Sequence, residues 1–186
     1  VAGFPSSFVA FVIDEAPFFD AVTSTLPPRV RALHREDLHL TLAFLSGVSP
    51  ERAHRAFEVV SAQPLSSIAI RLGAVVPMGP PERWTAMSAL IDEGREAATA
   101  AMSAVCDLAT DAAGVARETR PPVPHVTLAR LHAKATTEER AAAVAWASSL
   151  SLDAPLTLSA IALYTGRSVR PPGQPAYEIV VRRSLG

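Results

Sequence analysis

His39 and Thr41 stand two apart in HLTLAFL (39–45), and His125 and Thr127 stand two apart in HVTLARL (125–131). Five of the seven positions agree: His, Thr, Leu, Ala and Leu. Free imidazole titrates near ~6.5, so a histidine pair can keep one ring neutral and one protonated near neutral pH. Hydroxyls can donate hydrogen bonds to the oxygens of an anion. Two imidazoles and two hydroxyls gathered at one place suit in-line displacement at phosphorus without a metal. One ring takes the proton of the nucleophile, the other protonates the leaving oxygen, and the hydroxyls hold the non-bridging oxygens. One His-x-Thr in a strand is a weak signal, because a satisfied histidine beside a β-former is commonplace. Two copies in matching surroundings are a much stronger one.

The surroundings do match. Each motif reads as a β-strand, short and rich in leucine and β-branched residues, and the second is entered through the rigid turn RPPVP (120–124). A helix follows each. Ser49-Pro50 supplies an N-cap and a first-turn proline, and Ala53, Ala56, Phe57 and Val60 then form an apolar stripe at helical spacing. Thr136 and Glu139 form a capping box for a helix to about Leu150. Strands are predicted at 8–13, 65–75, 85–91, 156–164 and 176–182, and further helices at 16–26 and 95–113. Proline-rich turns are predicted at 75–84 and 166–175. A unit used twice packs most simply about a pseudo-twofold axis, with the two His-Thr strands facing each other across a groove. The predicted class is α+β: one bilobal domain over 1–186, with two antiparallel-rich sheets flanked by outer helices.

Side chains alternate along a strand. His39, Thr41 and Ala43 therefore share one face, as do His125, Thr127 and Ala129. Phe44 and Arg130 fall on the opposite, leucine-bearing faces. Alternation makes Phe44 a core residue, with base or groove contact as the alternative, and Arg130 reaches the groove only if its strand twists.

Composition narrows the partners. A net charge of −1 leaves no basic stripe for gripping long nucleic acid through many phosphates. Aromatics at 6% argue against an extended base-stacking surface. Cys106 is the only cysteine, so neither an internal disulfide nor a Cys/His zinc cage is expected, and the residue reads as a small buried hydrophobe. No metal ligand set has suitable spacing, and no cofactor is expected. The apolar run 8–13 is too short for a signal peptide or a membrane span and lacks a basic flank. A cytoplasmic protein is expected, monomeric and without a membrane partner. His34, His54 and His132 have no partner threonine and read as surface or loop residues. Arg120, Arg167 and Arg170 sit in loops that border the groove or simply aid solubility.

EDLHLTLAFL and PHVTLARL resemble the paired His-x-Thr motifs of the two-histidine (2H) phosphoesterase superfamily. They look most like its RNA 2′,3′-cyclic phosphodiesterase, or 2′-5′ RNA ligase, branch. One departure is Ser46-Gly47 after Leu45, where the branch more usually has glycine directly. The resemblance implies a bilobal fold, no metal, catalysis by His39 and His125, and Thr41, Thr127 and Arg130 on the substrate phosphate. By analogy His39 is cast as acid to the leaving ribose oxygen and His125 as base for water, although the near-symmetry permits the reverse. The implied activity is hydrolysis of a 2′,3′-cyclic phosphate on an RNA end or a nucleotide, giving a 2′-phosphate. The alternatives are 2′-5′ ligation, hydrolysis of another nucleotide or RNA phosphodiester, and RNA-end binding without turnover.

Overall fold

The computed structural model describes residues 4–169, 171 and 173–186. The chain runs β1 (Ser7–Val12), α1 (Phe19–Thr23), β2 (Val30–Ala32), β3 (His39–Phe44), α2 (Pro50–Ser61), β4 (Ile68–Met78), β5 (Ala86–Glu93), α3 (Arg95–Ala113), β6 (His125–Leu131), α4 (Thr137–Ser149), β7 (Ala154–Leu158), β8 (Ala160–Gly166) and β9 (Tyr177–Ser184). One sheet has the order β3-β1-β8-β9 and the other β2-β6-β5-β4-β7. All pairings are antiparallel.

The repeat is visible in this topology. β1 pairs with β3, and the strand after α2, β4, crosses to pair with β5. In the second unit β5 pairs with β6, and the strand that follows α4 and β7, β8, crosses back to pair with β1. Each sheet is thus completed by a strand of the other unit, and the two His-Thr strands β3 and β6 pack against each other where the sheets meet. The helices lie outside. α2 and α3 pack together behind the first sheet, with α3 on β3, and α4 lies on β4. Ser49 caps α2 and the Thr136–Glu139 capping box forms, while Ala53, Ala56, Phe57 and Val60 are buried as the stripe predicts.

Two elements differ from the sequence expectation. The stretch 156–164 is two strands in different sheets: β7 ends at Leu158 on β4, and β8 begins at Ala160 on β1. Both flanking residues are buried, so the apolar run continues through the change of sheet and hides the break. Pro77, assigned to a turn, lies inside β4 opposite Met87. There β4 has run past β7, which pairs with it only over Ile68–Leu72, so a missing N–H on that edge breaks no ladder.

Candidate active site

The histidines are held the same way in both copies. His39 Nδ1 lies 2.7 Å from the carbonyl of Asp37, and His125 Nδ1 lies 2.7 Å from the carbonyl of Val123. A carbonyl only accepts, so Nδ1 must carry the proton in each ring. Nε2 is then the nitrogen left for chemistry. Both rings are half-buried, as are Thr41 and Thr127. The environment of His39 registers the charges of His125 and Arg130, which places all three in one neighbourhood.

Arg130 is there because strict alternation fails. Val9 and Ala10 of β1 face Ala43 and Thr41, so Leu42 is an extra residue. Met87 and Ser88 of β5 face Ala129 and Thr127, so Leu128 is the extra residue in the second copy. These are paired β-bulges at equivalent places. Each turns two successive residues to the core: Leu42 and Ala43 are 2% exposed, and Leu128 and Ala129 are fully buried. Ala43 and Ala129 therefore do not flank the histidines. Phe44 and Arg130 take that side instead. Phe44 is 55% exposed and stacks toward Phe8, with centroids 6.4 Å apart, so it is a groove residue and not a core one. Ser46, at the departure from the family pattern, has φ of 25°, and Gly47 follows at 63°. The turn after the first motif thus needs left-handed backbone at the position where glycine is usual.

An aromatic floor supports His39. Phe8 lies 4.5 Å from the imidazole, Tyr164 5.4 Å and Tyr177 5.9 Å, with Tyr177 edge-on. Burial among these rings pushes the His39 pKa down to about 4. The hydrogen bond to the Asp37 carbonyl and the Asp37 carboxylate oppose that fall, while His125 and Arg130 add to it.

Two residues not anticipated from sequence complete the site. Ser88 is fully buried, and its Oγ lies 3.0 Å from Thr127 Oγ1. Ala10 occupies the equivalent place opposite Thr41, so only the second threonine has this support. Asp37 is 1% exposed and accepts hydrogen bonds from the backbone N–H groups of Ala176 (2.7 Å) and Tyr177 (3.1 Å). It pins the start of β9 beneath His39.

The other described candidates are engaged locally or exposed. His54 is exposed on α2, and His34 and His132 accept backbone N–H bonds in local turns. Arg120 pairs with Glu118 at 2.6 Å, and Arg167 lies 3.8 Å from Glu178. Arg170 lies outside the described residues. Cys106 is half-buried against the core, and burial raises its thiol pKa, which disfavours the thiolate. Among the described residues no three His, Cys, Asp or Glu side chains converge as a metal site. A concavity of about 580 Å³ lined by Ile13, Arg71 and Leu156 has no histidine in its lining. No described helix is long and apolar enough to cross a membrane.

The fold and this paired motif define a two-histidine phosphoesterase architecture. The chain belongs to the 2′-5′ RNA ligase superfamily, whose family model matches residues 5–170. Its fold is that of a crystallised phosphoesterase, with 19% identity, TM-score 0.71 and 98% of each chain covered. Escherichia coli LigT in its apo form is similar over 99% of each chain, at 19% identity and TM-score 0.69. The TT0787 protein of Thermus thermophilus is similar over 97% of each chain, at 21% identity and TM-score 0.70. No curated protein sequence gives a significant match.

Proposed function

We propose that the protein is a metal-independent RNA 2′,3′-cyclic phosphodiesterase. The observation that carries this reading is the pair of imidazoles on abutting strands, each tethered through Nδ1 in the same way, beside two hydroxyls and Arg130. LigT, similar in fold, has been crystallised with 3′-AMP, and a nucleotide is the class of ligand proposed for this site.

The low pKa of His39 favours it as the base, the reverse of the assignment made by analogy. Neutral His39 takes a proton from water as the water oxygen attacks phosphorus. The bond from phosphorus to the ribose 3′ oxygen breaks, and protonated His125 delivers its proton to that oxygen. A 2′-phosphate remains, and solvent exchange restores the two protonation states. Thr41, Thr127 and Arg130 hold the non-bridging oxygens, and Phe44 offers a face to the base. Both proton transfers are supplied by side chains, so the reaction needs no metal.

The deciding experiment incubates the protein and chelator with a 2′,3′-cyclic nucleotide and with an RNA ending in a cyclic phosphate. The expected products are 2′-phosphates. Binding without product would identify an RNA-end binding module, and activity lost to chelator but restored by metal would overturn the metal-free reading. The family relationship supports a second reading, 2′-5′ ligation. It is the same displacement with a ribose 5′-hydroxyl in place of water.

Two further outcomes are expected. The kcat/KM profile should be bell-shaped, with its acid limb near pH 4 and not near ~6.5, because His39 stays neutral down to about 4. The limbs belong to the coupled pair, so His39 is followed directly by NMR titration. A ring titrating near its ordinary value would remove the basis for calling it the base. Ser88→Ala should lower the rate by roughly 2–10-fold, since it removes one hydrogen bond orienting Thr127. An equal loss in Ala10→Ser would point to packing and not to the hydroxyl.

A further inference from the structure

Arg31 and Arg130 are direct cross-strand neighbours on β2 and β6. Their flanking pairs, Val30 with Leu131 and Ala32 with Ala129, turn to the core, so both arginines project from the groove side. Arg130 is near enough to His39 to act on its ionisation, which makes Arg31 one strand further out from the reacting phosphate. Like charges directly opposite each other in a sheet repel. Other strand arginines of this chain take carboxylate partners: Arg182 takes Asp14, and Arg71 takes Glu93 and Asp153. Among the described residues neither Arg31 nor Arg130 has an ion-pair partner. Both are exposed.

We propose that Arg31 binds a second phosphate, the one on the 5′ side of the nucleoside whose 2′,3′-cyclic phosphate sits at the histidines. The site then prefers an RNA end, or a 5′-phosphorylated nucleotide, over a bare cyclic nucleoside phosphate. This rests on the phosphodiesterase reading and specifies its substrate. Guanidinium suits the task because it binds phosphate oxygens bidentately and stays charged. With Arg31 the arginine paired across the strands with Arg130, the site engages a short end and not a long strand, in keeping with the net charge of −1.

Three substrates separate the possibilities: adenosine 2′,3′-cyclic phosphate, its 5′-phosphorylated form, and ApA ending in the cyclic phosphate. The wild-type protein should prefer the second and third over the first by roughly tenfold in kcat/KM. Arg31→Ala should collapse that preference toward one, and Arg31→Lys should restore part of it. A gain for ApA alone would identify an internucleotide phosphate as the ligand, and an equal gain for both a terminal one. The same comparison is made without turnover, as the affinities for adenosine 2′,5′-bisphosphate and adenosine 2′-phosphate. Arg31-dependent preference for the bisphosphate in a protein that hydrolyses nothing would leave the second phosphate site standing and end the hydrolase reading. No preference for the 5′-phosphate in either assay, or a preference that survives Arg31→Ala, would overturn the proposal.

Discussion

His125→Ala is expected to lower the rate of cyclic phosphate hydrolysis by roughly 10²–10⁴ while leaving the fold intact. The ring contributes a proton at the groove and is held by one carbonyl, so little core burial is lost. His39→Ala should be as slow. The double variant should be only modestly slower than either single, because the two rings serve one displacement. Thr41→Ala and Thr127→Ala should cost less, ~10–10³-fold, as each removes one oxyanion contact. His54→Ala on exposed α2 is the control and should behave as wild type. His39→Ala carries a second signature. Folding lowers the pKa of this ring, so the unfolded chain binds its proton first on acidification. The stability present above ~6.5 is therefore lost as pH falls toward about 4, by at most about 3 kcal/mol. The alanine variant should lack that share of the acid sensitivity. Full activity in a well-folded His125→Ala protein would remove His125 from the mechanism.

The two strands, their helices and their pairing across a groove were legible in the sequence because each signal is local. Alternating apolar residues, Ser49-Pro50, and Thr136 with Glu139 all act within a turn or two of the chain. Local alternation is less informative at the ends of the two strands. It sends Phe44 and Arg130 to the core side, yet the bulges at Leu42 and Leu128 bring both to the groove. A bulge depends on which residues β1 and β5 present opposite, and neither Leu-Ala pair announces it. The same reason hides Arg31. VRA (30–32) is too short to read as a strand, and its arginine gains meaning only from lying opposite Arg130. Ser88 is an ordinary strand residue until its partner is known to be Thr127.

Asp37 was hidden for a related reason, since its partners lie about 140 residues away, and its replacement should have the second largest effect. Asp37→Ala leaves the part-buried N–H groups of Ala176 and Tyr177 without their acceptor. With charge-assisted bonds lost and donors stranded, the expected cost is about 2–4 kcal/mol of stability. The Tyr177 ring, edge-on to His39 and packed on Phe8, is then less firmly placed, and kcat/KM should fall by roughly tenfold. A merely structural role predicts that loss too, so pH dependence must separate the cases. The Asp37 carboxylate raises the pKa of His39 against the pull of burial. Removing its charge should let the pKa fall further, and the acid limb of kcat/KM should move to lower pH. Asp37→Asn keeps one acceptor oxygen while losing the charge. It should retain more stability than alanine and still shift the limb. A limb that stays in place in Asp37→Asn, with activity following only the folded fraction, would reduce Asp37 to a structural tie between the turn before β3 and the start of β9. The His39 environment would then be left to its aromatic neighbours.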